Sequence, residues 1–392
     1  MYLNNKFSFL GKLSFILWAY VIIVVVASVH RYALGIDHIN NFIIFKTSFF
    51  NLVNNNDLYI HYPDSYQDLY KYSPLFAFLM APFAVLPNLA GLILWNLINV
   101  LTLFFAIKKL QIEEKKKVLI SWFVLLELLT SVQNSQSNGL MAGLILFAFV
   151  SFEKRNLLLA ALFISLSFYL KIFGLAAAVL FLLYPGKIKF MGYMILWNIL
   201  FFFIPLLVIP LEQLLALYKS WFHLLSNDPS HSLNFSVITL INSWLNIQIP
   251  AIYIQSVGLI LLLLPFVRHN YYAVQRFRLL LLSSVLIWVI IFNHKAESPT
   301  FIIAMLGVAL WFSGAQSTKW NLALLIFAFV ITSLSPTDLF PRYIRENFLV
   351  PYVLKVLPCI LIWIKIQQEL LFRKYELPEQ EGLKIVSPPS PA

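Results

Sequence analysis

Few residues in this 392-residue chain are of a type that does chemistry, which makes each of them informative. Asp37 is a lone carboxylate near the start of Gly35–Pro74, the longest early polar interruption of an otherwise apolar sequence. At the edge of a membrane such a group suits a general base. Asp is also a favoured helix cap, and both roles stay open. Lys171 breaks the apolar run 157–184. An ammonium inside a bilayer costs about 3 kcal/mol on insertion scales and usually has a function. It would bind a phosphate, or else snorkel to the interface. Gln136 and Asn138, in S-V-Q-N-S-Q-S-N-G, offer amides that orient a sugar or phosphate, or that merely complete a polar turn. His294, Lys295 and Glu297, in H-K-A-E-S-P, form a dense polar cluster between two apolar runs, or a solvated loop.

Other chemistries are excluded by what is missing. The seven histidines show no H-x-x-x-H or H-E-x-x-H spacing, so no zinc or other metal site is expected. The single cysteine, Cys359, lies inside an apolar run and rules out disulfides and thiolate clusters. The 12 glycines are dispersed, with no Walker-type loop and no dinucleotide pattern. No cofactor is therefore expected, and an activated substrate would arrive from the membrane. Asp57, Asp64 and Asp68 read as turn and loop residues. Arg342 and Arg345 read as interface anchors or as holders of an anionic head group.

The elements that must position these residues are transmembrane. The composition is 60% hydrophobic and 11% charged, with repeated apolar runs and short polar breaks. It specifies an all-α polytopic bundle of about ten to twelve spans. The net charge of +11 reflects Lys and Arg on the cytoplasmic side rather than nucleic-acid binding. Spans are expected near 13–30, 89–107, 118–133, 139–152, 190–209, 251–267 and 279–293. Further spans follow up to Phe312, from Lys319 to near Ser335, and at 348–364. The first is uncleaved. Residues 1–366 form one module, with a polar, disordered cytoplasmic tail from 367 to 392.

Within Gly35–Pro74, Ile39, Phe42, Ile43, Phe49, Phe50 and Val53 recur near helical spacing. That pattern predicts an interfacial helix. A second one is predicted in the loop 211–250, and a re-entrant or interfacial helix at 75–86. With both termini inside, the lysine-rich break 108–117 is cytoplasmic and both long loops face outward. Two full crossings need about 40 residues, yet the run 157–184 has only 28. Its tip at Lys171 therefore stops below the outer surface, as does the tip Gln133–Asn138. Polar backbone at that depth must line a cavity. A recessed cavity roofed by the two long loops is expected.

These residues, in this order, resemble glycosyltransferase family 87, integral-membrane enzymes of the GT-C class that include polyprenyl-phosphate-mannose-dependent mannosyltransferases. The carriers are Gly35-Ile36-Asp37, Leu58-Tyr59, Tyr72-Ser73-Pro74-Leu75, Leu86-Pro87 and Trp95-Asn96. Ser135-Gln136-Ser137-Asn138 stands where the family tends to have G-Q-x-N. Lys171 stands at the lysine of a K-x-x-P pattern, with Gly174 in place of the proline. Asn54–Asn56 replaces a glycine. His294 falls in the late outer loop where a functional histidine is expected. The resemblance implies hexose transfer, usually of mannose, from a polyprenyl-phosphate donor to a lipid-linked or outer-face glycan. Asp37 becomes the base of an inverting reaction. Lys171, His294, Lys295, Glu297, Gln136, Asn138 and Tyr72 then belong to the donor site. A secondary transporter using Lys171, and a polymerase or ligase of lipid-linked glycans, are the alternative readings.

Overall fold

The computed structural model describes residues 8–227 and 234–377. These form helices throughout, with no strand among the described residues. Helix α1 (Leu13–Ala33) is followed by a 3-10 turn, Ile36–Ile39, and by α2 (Asn40–Val53). After a loop, α3 (Pro74–Leu79) starts where Ser73 Oγ accepts from the Phe76 amide at 3.2 Å and Pro74 occupies the first turn. Both are favoured helix-start features. Next come α4 (Ala81–Ala84), α5 (Asn88–Lys109), α6 (Glu114–Gln133), α7 (Asn138–Glu153) and α8 (Leu157–Leu170). A 3-10 helix, Ile172–Leu183, leads to α9 (Lys187–Phe203), α10 (Leu211–Asn227), α11 (Val237–Leu245) and α12 (Ala251–Leu263). The chain closes with α13 (Gln275–Ile291), α14 (Phe301–Ser313), α15 (Lys319–Phe327), the short α16 (Arg342–Ile344) and α17 (Leu357–Phe372).

Three helices are long and apolar enough to cross a bilayer unaided: 13–33, 88–109 and 187–207. The segments 138–153, 157–170, 172–183, 251–267, 298–313 and 319–334 are apolar but shorter. Trp18, Ile22 and Val26 of α1, and Ile188, Ile195 and Ile199 of α9, are all more than half exposed. Apolar surface on this scale is at rest against lipid rather than water. Inside, α5 packs on α7 and α13 on α14. Gly143 lets α5 and α7 approach closely, since a Cβ there would come within 2.8 Å of the Thr102–Leu103 backbone. Small residues at membrane helix contacts serve this purpose.

The run 157–184 is a short hairpin, as its length requires. Gly174 sits against Ser167, where a Cβ would lie 2.7 Å from the carbonyl oxygen. At the other end, Tyr184 donates to Glu153 and stacks on Phe152. The chain therefore reverses at Lys171, whose backbone is extended between α8 and the 3-10 helix.

The last span differs from its expected position. Segments 342–349 and 354–372 meet at 93°, and α17 begins at Leu357 rather than near 348. It also runs through Phe372, so residues 367–372, expected in a disordered tail, are helical. Their polar side chains find partners inside the bundle. Gln367 donates to Ser284 Oγ at 2.6 Å, and Glu369 accepts from Trp311 Nε1 at 3.1 Å. The part of the expected tail from 378 onward lies outside the described residues.

Candidate active site

Four separate chain reversals converge on one cavity of about 880 Å³. This is a volume typical of small-molecule sites. Helix α2 contributes Asn41, the loop after it Asp68, Lys71 and Tyr72, the α6–α7 turn Asn134 and Gln136, and the α8 hairpin tip Lys171 and Phe173. The α13–α14 loop contributes Asn293, His294, Lys295, Glu297 and Pro299. Trp221 and Leu225 of α10 complete the wall on the side of the loops.

A continuous chain of hydrogen bonds runs along its wall, by way of Asn138, which is fully buried behind the lining. Lys171 Nζ donates to Asn138 Oδ1 at 2.7 Å, and Asn138 Nδ2 donates to Gln136 Oε1 at 2.7 Å. Gln136 Nε2 then donates to Glu297 Oε2 at 2.8 Å. Asn138 Nδ2 also reaches the Pro299 carbonyl at 3.0 Å. An ammonium thus stands at one end and a carboxylate at the other, joined by two amides. Lys171 Nζ lies 5.7 Å from the centre of the Tyr72 ring and 5.8 Å from that of Phe173, within cation–π reach. The Tyr72 hydroxyl is 3.3 Å from Ser137 Oγ. Burial pushes the Tyr72 phenol well up from its ordinary range, and the Glu297 charge adds to this. It therefore remains a neutral donor and acceptor at physiological pH.

The local sequence explains how the amides are presented. Ser135 adopts φ 52, the left-handed region, which turns the chain between α6 and α7. The Ser135 carbonyl accepts from Trp95 Nε1 at 2.9 Å, and the Asn134 carbonyl from Asn41 Nδ2 at 2.8 Å. Glycine takes this conformation without steric cost, and here serine holds it. Asn55 is likewise left-handed at φ 60. Asn tolerates it better than most residues.

Asp37 stands apart from the polar chain. It is exposed in the 3-10 turn Ile36–Ile39, accepts from Gln67 Nε2 at 3.0 Å, and does not line the cavity. Its neighbourhood does: Asn41 follows one turn later, and Asp68 adjoins Gln67. Asp37 is thus linked to the cavity lining through Gln67, its hydrogen-bond partner. The helix-cap alternative is not what the structure shows. The residue capping α2 is Ile39, with no side-chain cap bond, and none is made at the start of the 3-10 turn. Asp57 and Asp68 do act as loop residues. Asp57 Oδ1 accepts from the Tyr59 amide at 2.9 Å, and Asp68 Oδ1 accepts from the Leu69 amide at 2.7 Å and faces Lys71 Nζ at 3.5 Å. Gln67, which holds Asp37, has no signal in the sequence, because its role depends on a contact 30 residues away.

The second long loop is tied to the first and to the α13–α14 loop. Trp221 Nε1 donates to the Lys71 carbonyl at 3.0 Å, and the Phe235 amide to the Ala296 carbonyl at 2.8 Å. A roof made by both long loops is thus present. Among the described residues, no group of His, Cys, Asp and Glu is arranged to hold a metal ion.

A lipid-facing helical bundle enclosing a polar cavity beneath two long loops defines the class, a polytopic membrane protein built around one buried site. The family follows from comparison: the family model of glycosyltransferase family 87 matches residues 70–336, and the chain belongs to that family. It is therefore a membrane glycosyltransferase, acting with a sugar donor and an acceptor, and the transporter reading falls away. No curated protein matches the chain. The matched stretch contains Tyr72, Gln136, Asn138, Lys171, His294, Lys295 and Glu297, and Asp37 precedes it.

Proposed function

We propose that this enzyme transfers a hexose, mannose being the family's commonest case, from a polyprenyl-phosphate carrier to a lipid-linked or outer-face glycan, with inversion. The observation that carries this reading is the position of Lys171. Its ammonium heads the polar chain in a cavity whose other flank is apolar. Ile172 of the 3-10 helix, and Ile252, Ser256 and Leu259 of α12, line the cavity and are themselves exposed. Trp288, Val289 and Phe292 of α13 lie behind them. A slot between the 3-10 helix and α12 would let a lipid tail remain in the membrane while its phosphate meets Lys171.

In the reaction, an acceptor hydroxyl at the cavity mouth attacks the anomeric carbon as the bond from that carbon to the phosphate oxygen breaks. Asp37 takes the hydroxyl proton. The departing lipid phosphate gains charge, which Lys171, His294 and Lys295 meet from the cavity wall. Gln136, Asn138 and Glu297 orient the sugar, with Tyr72 beside them. Asp68 is the nearer carboxylate to the cavity, but its ion pair with Lys71 occupies it. The carboxylates that line the cavity are engaged, Asp68 with Lys71 and Glu297 with Gln136, which leaves Asp37 as a single base and supports inversion.

Purified enzyme with a radiolabelled polyprenyl-phosphate hexose and a lipid-linked acceptor should release product of inverted anomeric configuration. Transfer only from a preassembled lipid-linked oligosaccharide would favour the polymerase or ligase reading instead. For orientation, a cysteine replacing Asn56 should react with an impermeant thiol reagent on intact cells, and one replacing Lys116 should not. Labelling at Lys116 would put the cavity mouth on the cytoplasmic side and sink the outward-facing site in the cell membrane.

A further inference from the structure

Close behind the polar chain lies a second charged group that the reaction does not use. Lys355 Nζ is 3.1 Å from Glu127 Oε1, with side chains 3% and 0% exposed. The pair joins α6 to the segment just before α17. Buried ion pairs add little stability, because desolvation cancels most of the attraction, and charges inside membrane proteins are mostly functional. The chain also accepts strain to deliver this lysine. Val353 has φ 55, a left-handed conformation that is an outlier for a β-branched residue. It sits at the corner where segments 342–349 and 354–372 meet at 93°.

The ammonium has further partners, and they point toward the cavity. Lys355 Nζ donates to Ser298 Oγ at 2.7 Å, lies 3.3 Å from the Ser298 carbonyl oxygen, and stands 4.9 Å from the centre of the Phe301 ring. Ser298 is flanked by the two residues that anchor the polar chain. Glu297 accepts from Gln136, and the Pro299 carbonyl accepts from Asn138.

We propose that the Glu127–Lys355 pair positions the donor site. Glu127 aims the ammonium, the ammonium fixes the turn at Ser298, and that turn holds Gln136, Asn138 and hence Lys171 in register. Neither charged residue touches substrate. The proposal rests on reading the cavity as the donor site.

The test uses full-length protein in lipid nanodiscs and two double variants, E127L/K355M and E127L/K355Q. Both remove the charges together, so neither strands one of them, and an apolar pair of similar volume is tolerated or stabilising. Only the glutamine variant keeps an N–H that can donate to Ser298. Thermal unfolding midpoints of both should match or exceed that of the natural protein. Amide hydrogen exchange across 293–300 should rise in E127L/K355M, with donor KM up about 10–100-fold, the cost of an ångström-scale misplacement. E127L/K355Q should recover most of both. Unchanged exchange and KM in E127L/K355M would reduce the pair to an ordinary ion pair. Equal impairment of the two variants, or unfolding of both, would also overturn the proposal. If the natural protein ignores polyprenyl-phosphate hexose, the donor assignment falls, while the exchange contrast still decides the positioning claim.

Discussion

Replacing Asp37 by Asn is expected to lower turnover by roughly 10²–10⁴-fold, the usual contribution of a general base, with the protein still folded. The structure makes this substitution more discriminating than the sequence alone allowed. Asp37 caps no helix, and its side chain accepts one bond, from Gln67 Nε2. An asparagine carbonyl oxygen accepts that same bond, and the amide has the same shape. What it cannot do is take a proton. Donor affinity should survive, because the polar chain from Lys171 to Glu297 contains no contribution from Asp37. The measurement is transfer from a labelled polyprenyl-phosphate hexose, with donor binding measured alongside. Near-normal turnover would remove the base from this position. A matching variant, Asp68→Asn, would then ask whether the carboxylate lining the cavity has that role despite its ion pair with Lys71.

The second large effect is expected at Lys171. Lys171→Met should insert and fold, because two costs nearly offset each other. Removing a buried charge relieves about 3 kcal/mol on insertion scales. Leaving Asn138 Oδ1 without its donor costs about 1–3 kcal/mol. Function should respond very differently. The ammonium is the cation at the head of the chain, and loss of such a stabiliser of developing charge lowers the rate by about 10²–10³-fold. Donor binding should weaken as well, since the phosphate loses its partner in the bound state too. A well-folded, fully active Lys171→Met protein would return Lys171 to a role in carrying charge toward the interface and leave the cavity without its phosphate anchor.

Much of this architecture is legible in residue order because membranes limit the choices. A 28-residue apolar run between two basic breaks can only be a short hairpin, so Lys171 falls at its tip, where the chain does turn. The amphipathic spacing after Asp37 becomes α2, and Gln136 and Asn138 sit at a turn as their neighbours suggest. Asp37 is the instructive partial case. Its type and place indicate a helix cap equally well, and only its contact with Gln67 and the uncapped start of α2 separate the roles. The C-terminal part is harder, because its order is dictated across the chain. Lys355 meets Glu127 over 228 positions, and Glu369 meets Trp311 and Arg276 on other helices. No local pattern announces such pairs, so α17 lies further along the chain than its apolar run suggests.

The proposed slot into the bilayer would change what concentration means for an enzyme of this kind. A carrier entering between the 3-10 helix Ile172–Leu183 and α12 diffuses in two dimensions, and its abundance is a mole fraction of the surrounding lipid rather than a molarity. Adding empty detergent micelles at constant bulk substrate then dilutes the donor at the slot, and apparent KM rises although no binding contact has changed. The acceptor at the mouth, if water-soluble, escapes this dilution. The two substrates of one reaction would thus answer to different solvents.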